Sequence, residues 1–141
     1  MRSKLLPLTP RGPEHRLDNA LSEDVVFHSP VRDYRGRADV AHILMTIGEV
    51  LDEIEAGREL VAERQVVTII TATHGENRMT GVLNETFDAR GRVKRATLLL
   101  RPLSTLLEAI TAMRAALERS PLPSTLAART SEMSVAPKSR L

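Results

Sequence analysis

The feature that most constrains the fold is a β-hairpin in the second half of the chain. Its turn is Ala89-Arg90-Gly91, between a strand that ends near Phe87 and a strand that runs from Arg92 to Arg101. A short connection with glycine, flanked by apolar and β-branched residues, is typical of antiparallel strands. Residues 60–73 are rich in valine, isoleucine and threonine, and residues 74–77 supply the turn that follows them. The sequence therefore predicts an antiparallel meander of three strands.

Helices are predicted on both sides of this meander. Apolar residues recur at spacings of three and four from Val40 to Ile54, which is typical of an amphipathic helix, and Gly57 is placed to end it. A second apolar stripe runs from Leu106 to Leu117, and Thr105 with Glu108 forms a capping-box pattern at its start. The pattern thus predicts one long helix before the strands in the sequence and a second long helix after them.

The front of the chain carries two shorter elements. Pro13 is placed to begin a short helix that reaches Leu21, because proline suits the first helical position. Val25 to His28 is a strand candidate that Pro30 ends, since proline cannot donate to a sheet ladder.

The length of 141 residues predicts one domain. Residues 1–12 are interrupted by prolines and are predicted to be an irregular N-terminal segment. Residues 13–120 are predicted to form the domain. Residues 121–141 are rich in Pro, Ser, Ala and Arg without a period, which predicts a flexible tail.

Composition argues against several classes of function. The net charge is only +2, the basic residues are spread along the chain, and one tyrosine and two phenylalanines leave little for base stacking. No apolar run approaches the roughly 20 residues that a bilayer requires. Cysteine is absent, the histidines lack metal-ligand spacing and no glycine-rich phosphate loop is present. We therefore expect a cytoplasmic protein with no metal, cofactor, nucleic-acid partner or membrane partner.

Three motifs carry a resemblance to a known family. They are Asp24-Val25-Val26-Phe27-His28-Ser29-Pro30, Tyr34-Arg35-Gly36-Arg37 and Phe87-Asp88-Ala89-Arg90-Gly91-Arg92-Val93. With the order of the elements over residues 13–120, they resemble the nuclear transport factor 2-like superfamily, and more narrowly the actinobacterial SnoaL-like proteins. The resemblance implies an α+β fold, a cystatin-like roll in which a strongly curved antiparallel sheet packs on helices and leaves a conical pocket. Members include ketosteroid isomerase, limonene-epoxide hydrolase, polyketide cyclases and binding proteins without catalysis, so the fold alone does not define a reaction.

The catalytic groups that the resemblance implies are missing from the matching positions. Ketosteroid isomerase has its general base just before the proline that ends the early strand, and this position is Ser29. Its second acid falls at about Leu83 and its helix tyrosine near Leu5. A serine hydroxyl is far too weak a base at neutral pH, and neither leucine ionises. The sequence therefore gives no support for this isomerase chemistry.

The catalytic groups of the other two enzyme types are also missing from the matching positions. The groups of limonene-epoxide hydrolase that activate a water align near Val66, Thr68 and Leu98. SnoaL-type cyclases require an aspartate in the last strands, and residues 96–100 contain none. The catalytic residues, if there are any, are left unknown by the sequence.

Strand alternation then predicts what lines the pocket, because side chains two residues apart share a face. In a mostly apolar cone, Glu85 is the one interior carboxylate and Arg64 is its candidate partner. Burial would raise the pKa of an unpaired glutamate and a cation would lower it. Glu85 is either a general base or ligand anchor, or one half of a structural ion pair. The residues predicted to contact a ligand are Ser29, Tyr34, Arg64, Thr68, Leu83, Glu85, Phe87 and Leu98.

Two functions remain open at this point. The first is a SnoaL-like module that binds a small hydrophobic molecule by burial in the apolar cone. The alternative is an isomerase, cyclase or hydratase of secondary metabolism that uses Glu85, His28 or Tyr34. The strand parity of His28 is opposite to that of Ser29, which places it on the outer face or the rim. Tyr34 either reaches a ligand or packs as a loop residue on the helix.

The convex face of the sheet is predicted to be apolar. The residues of outward parity include Val67, Ile69, Val82, Val93 and Leu99. A single small domain has nothing left to cover such a face. The sequence therefore predicts a homodimer formed through the sheet.

Overall fold

The computed structural model describes residues 2–6, 8 and 14–139, and for residues 14–16 and 132–139 it describes the backbone alone. This part of the chain forms four helices and six strands. They are α1 (Glu14–Ala20), β1 (Leu21–His28), β2 (Asp33–Arg35), α2 (Arg37–Val50), β3 (Glu53–Ala62), β4 (Gln65–His74), β5 (Asn77–Phe87), β6 (Val93–Arg101), α3 (Leu103–Arg119) and α4 (Pro123–Ser139). None of these helices has the length and apolar character to cross a bilayer.

The six strands form one curved sheet in the order β2-β1-β6-β5-β4-β3. Strands β3 to β6 are an antiparallel meander, while β1 runs parallel to β6. The sheet is therefore mixed, not wholly antiparallel as predicted. The reason is that β1, from the start of the chain, pairs with β6 at the edge of the meander and runs parallel to it. The predicted α+β class, with a cystatin-like curved sheet packed on helices, is confirmed.

The core lies between the concave face of the sheet and α2. Alternate residues of β4 are buried, as strand periodicity requires, and so is the apolar stripe of α2. The largest fully buried side chains include Phe27, Phe87, Leu21, Leu44 and Met79. One of the predicted outward residues, Val93, also belongs to this core with 0% exposure. The register of β5 and β6 shifts beyond Thr86, so Val93 pairs with Phe87 and faces inward.

The meander has four strands, since β3 was not predicted. The predicted helix ends at Val50, and Ile54 and Gly57 belong to β3 instead. Because β3 is an edge strand with most of its side chains exposed, its sequence does not alternate between apolar and polar residues. A Cβ on Gly57 would lie 3.0 Å from the carbonyl oxygen of Ile69, so glycine here allows a close approach to β4.

Two predictions near the C-terminus also differ from the structure. Helix α3 begins at Leu103 with Pro102 at its N-cap, so Thr105 and Glu108 do not form a capping box. Glu108 instead accepts a hydrogen bond from Asn77. Residues 121–141 were predicted to be a tail, and the structure places α4 there, with the side chain of Ser124 bonded to Asp39 on α2. That this segment is flexible stays a prediction.

Candidate functional site

An apolar pocket of about 290 Å³ lies between α2, α3, the end of β6 and the loop from β1 to β2. Apolar side chains make most of its wall. They are Pro30, Val31, Ile43, Ile47, Val50, Leu51, Leu98, Leu100, Leu106, Ala109, Ile110, Met113 and Leu117. Four polar residues complete the lining, namely Ser29, Arg32, Tyr34 and Arg114. In the part of the chain that the structure describes, no carboxylate and no histidine lines the pocket, so this lining is suited to an apolar molecule.

Ser29 lies at the rim of this pocket, where the chain turns from β1 toward β2. Its hydroxyl donates to the carbonyl of Arg32 at 2.8 Å and accepts from the N–H groups of Val31 and Arg32 at 3.2 and 3.0 Å. Serine is typical of such turns because its side chain replaces backbone partners. The hydroxyl is thus already engaged in holding the loop.

Tyr34 belongs to β2 and not to a loop, and it lines the pocket. It pairs with Phe27 on β1, and the two rings stack with centroids 6.3 Å apart. The guanidinium carbon of Arg32 lies 4.9 Å from the centre of the tyrosine ring, within the range of a cation–π contact. Burial raises the pKa of Tyr34 above its usual value of 10.0, so its hydroxyl remains a neutral donor. Tyr34 is therefore a strand residue that packs on Phe27 and also lines the pocket, and its contact with a ligand stays a prediction.

Glu85 is fully buried, yet it does not line the pocket. One carboxylate oxygen, Oε1, accepts hydrogen bonds from the backbone N–H of Leu5 at 2.9 Å and of Lys4 at 3.1 Å. The other oxygen, Oε2, has no hydrogen-bond partner among the described residues, and the same is true of the Thr68 hydroxyl. Burial raises the pKa of Glu85, although the bonds from Leu5, Ser3 and Lys4 partly oppose this. The N-terminal segment therefore covers this buried carboxylate.

The predicted contact between Arg64 and Glu85 is wrong. Arg64 is exposed in the turn between β3 and β4, with a φ of 56°, and its carbonyl accepts from the N–H of Phe87. The prediction placed Arg64 on a strand because β3 and its turn were not expected. Backbone N–H groups of the N-terminal segment take the place of the expected cation.

The other predicted ligand residues separate into two groups. Leu98 lines the pocket together with Ser29 and Tyr34. Thr68, Leu83 and Phe87 are buried on the concave face but lie in the core, outside the pocket lining. Ligand contact itself stays a prediction for all of them.

Sequence reasoning missed the helical half of the pocket. The residues on α2 and α3 that form this wall include Ile43, Ile47, Ile110, Met113 and Arg114. Their spacing of three and four was visible in the sequence, but it shows only that one face of each helix is buried, and not that a cavity lies beneath that face.

His28 lies outside the pocket. Its Nδ1 is 2.6 Å from a carboxylate oxygen of Asp33, and its side chain is one-third exposed. Strand alternation puts its side chain on the other face of β1 from Phe27, which agrees with the predicted position on the outer face or the rim. Among the described residues, no three histidine, cysteine, aspartate or glutamate side chains come together to hold a metal ion.

Several proteins of known structure have a fold similar to that of this chain. The sequence matches no protein-family model and no curated protein. Among solved structures, a Silicibacter pomeroyi protein with a cystatin-like fold aligns with a TM-score of 0.77 and 24% identity, over 83% of this chain and 84% of the other. A protein provisionally assigned as a SnoaL-like polyketide cyclase, from Jannaschia sp., aligns with a TM-score of 0.60 and 13% identity, over 73% and 79% of the two chains.

A third neighbour is similar in sequence as well as in shape. A steroid delta-isomerase from Pseudomonas aeruginosa aligns with a TM-score of 0.71 and 30% identity, over 75% of this chain and 80% of the other. The chain belongs to the nuclear transport factor 2-like superfamily, the group that includes SnoaL-like and steroid-isomerase-like proteins. The resemblance seen in the three sequence motifs is confirmed.

Proposed function

We propose that the protein binds a small hydrophobic molecule in the apolar pocket and does not catalyse a reaction there. The observation that carries this proposal is the lining, in which the described residues are apolar side chains and four polar residues, with no acid or histidine among them. Each square ångström of apolar surface removed from water contributes roughly 25 cal/mol, so burial alone favours an apolar ligand. The volume of about 290 Å³ is near the lower end of typical ligand sites, which suits a small molecule.

The positions of the candidate catalytic groups support a binding role. Ser29 stands at the position that the sequence resemblance matches to the isomerase base, and its hydroxyl is engaged in the turn. Glu85 lies away from the pocket beneath the N-terminal segment, and His28 is paired with Asp33 outside it. A general acid or base must come within hydrogen-bond reach of the reacting atom, and these groups do not meet at one cavity.

A series of linear alcohols, from 1-butanol to 1-octanol, tests the proposal by titration calorimetry. We expect saturable binding with one molecule per chain, and an affinity that increases about fourfold for each added CH₂, since burial of one such group contributes about 0.8 kcal/mol. Ile110→Trp should fill the cavity and weaken 1-octanol binding at least tenfold.

The matched control is Leu107→Trp, on the same helix but 53% exposed and outside the pocket lining. It should bind 1-octanol like the unmodified protein. Equal binding by both tryptophan variants, or no saturable binding of any alcohol, would refute the proposal.

One observation favours an alternative, an isomerase, cyclase or hydratase that uses Glu85, His28 or Tyr34. This is the 30% identity to a protein named as a steroid delta-isomerase. An assay with 5-androstene-3,17-dione separates the two functions, because migration of its double bond produces a conjugated ketone that absorbs ultraviolet light. We expect no rate above that of buffer. A rate that Glu85→Gln or Tyr34→Phe abolishes would support the enzyme.

We also propose that the protein is a homodimer in the cytoplasm, assembled through the convex face of its sheet. Leu99 is 60% exposed and Ile69 is 44% exposed on that face, and each pairs with Val82 between them. Leu60, 55% exposed, lies opposite Val67 nearby. Exposed apolar side chains grouped in this way favour an interface.

A further inference from the structure

We propose that the molecule held in the apolar pocket is a carboxylate, with its apolar part inside and its anionic group at the mouth between Arg32 and Arg114. This inference rests on the proposed binding function and specifies its ligand. The two arginines come from different elements, one from the loop between β1 and β2 and the other from α3. Both line the pocket and both are exposed, so their charged groups belong at the opening.

The described lining of this opening carries an excess of positive charge. Among the residues that the structure describes, two guanidinium groups and no carboxylate line the pocket. Among the described residues, no carboxylate forms an ion pair with either arginine. The hydrogen-bond partners of Asp33 and Asp39 are other residues, since Asp33 pairs with His28 and Asp39 accepts hydrogen bonds from Ser124. A bound anion would therefore supply the missing negative charge.

Arg32 is also held in place before a ligand arrives. Its guanidinium lies over the ring of Tyr34, and its backbone N–H and carbonyl are both bonded to the hydroxyl of Ser29. A positioned cation loses less side-chain freedom when it binds an anion. Arginine presents a planar fork of N–H donors that matches the two oxygens of a carboxylate.

The polar groups at the rim can donate but have little capacity to accept. Arginine has no acceptor atom, and the hydroxyl of Ser29 is already bonded within its turn. Tyr34 supplies a further O–H from a largely buried position, 8% exposed. A ligand group made of acceptor atoms, such as a carboxylate, fits these donors, while an ammonium group would meet two like charges.

Three probes with the same eight-carbon chain test the inference at neutral pH, namely octanoate, 1-octanol and octylammonium. Titration calorimetry should show octanoate binding about five- to tenfold more tightly than 1-octanol, and octylammonium more weakly than both. The preference for octanoate should decrease as salt is added, because the arginines are exposed.

Variants of the two arginines locate the effect. Arg32→Gln and Arg114→Gln should each weaken octanoate binding at least threefold and weaken 1-octanol binding by less, so that the preference for octanoate decreases. Arg119→Gln is the matched control, because Arg119 is also exposed on α3 but does not line the pocket. It should leave the binding of both probes unchanged.

The outcomes separate this inference from the function on which it rests. Equal affinity for octanoate and 1-octanol, with no effect of either arginine variant, would overturn the carboxylate and leave the apolar binding function intact. Tighter binding of octylammonium would overturn it as well. Failure of all three probes to bind saturably would overturn both proposals.

Discussion

Glu85 is a buried residue that binds the N-terminal segment, although its sequence position made it a candidate for ligand binding or catalysis. It faces inward between Leu83 and Phe87 on β5, where neighbouring residues are apolar. Its Oε1 holds the N-terminal segment through two backbone N–H groups, while its Oε2 has no partner among the described residues. A carboxylic acid in such a place is easier to bury than a carboxylate, because the charged form loses its hydration.

The Glu85→Gln substitution gives a prediction about pH. Burial raises the pKa of Glu85 in the folded state, and the nearby carboxylate of Glu59 adds to this effect. The stability that the protonated group contributes is fully present below the unfolded pKa, about 4.3, and is lost as the pH rises through the higher folded value. Glutamine does not titrate and can still accept both backbone N–H groups.

We therefore expect Glu85→Gln to be more stable than the unmodified protein at pH 8, by about 1–2 kcal/mol, with the difference shrinking toward pH 4. Urea denaturation at several pH values measures this difference. Glu55→Gln, exposed on β3, is the control and should follow the unmodified protein. Stability curves for Glu85→Gln and the unmodified protein that stay parallel over this range would contradict the prediction.

The helices and strands differ in how clearly the sequence predicts them. Helices α2 and α3 were predicted because each has one apolar face, and β4 to β6 because β-branched residues and turns mark them. Strand β3 was missed because it is an exposed edge strand without a buried face to impose a pattern. The inward position of Val93 was missed because a local register shift reverses parity, and side-chain alternation cannot show where such a shift falls.

The candidate site was predictable where a sequence motif or strand alternation fixes the direction of a side chain. Ser29, Tyr34 and Leu98 were identified and do line the pocket, since a motif or strand parity fixes their direction. Arg114 and the apolar residues of α3 were not identified, because the placement of a helix over a sheet depends on tertiary packing. The sequence also did not predict that the N-terminal segment covers Glu85. This segment binds through its backbone N–H groups, which do not depend on the identity of the side chains.

The N-terminal segment carries a prediction of its own. Leu5 is 0% exposed, and the backbone of Leu8 lies 2.9 Å from where a Cβ on Gly48 of α2 would be, so the segment packs closely on the domain. Leu5→Ala should destabilise the protein by about 2–4 kcal/mol, through lost burial and the cavity left behind. Urea denaturation measures the loss.

The control for this prediction is Arg2→Ala, in the same segment but exposed. It should change stability by less than about 0.5 kcal/mol. If Leu5→Ala is equally mild, the segment does not contribute to the core, and Glu85 would then titrate as an accessible carboxylate.

At the scale of the whole molecule, the curved sheet gives its two faces different roles. The concave face supplies the core and, with α2 and α3, the apolar pocket. The convex face is uncovered by any described helix, and Ile69, Val82 and Leu99 lie side by side across β4, β5 and β6. Polar residues flank this row, among them Thr80 and Arg101. An apolar centre with a polar rim is the usual arrangement of a protein interface.

The dimer is tested most directly at Leu99, which lies at one end of this row. A lysine there would place a charge among apolar side chains that the interface would bury. We expect the unmodified protein to sediment as a dimer at micromolar concentration and Leu99→Lys to sediment as a monomer, with at least a hundredfold weaker association. Leu126→Lys is the matched control, because Leu126 is 49% exposed on α4 and does not belong to this row. It should remain dimeric. A monomeric unmodified protein, or equal dissociation by both lysines, would mean that the convex face is not the interface, and its exposed leucines and isoleucine would then require another partner.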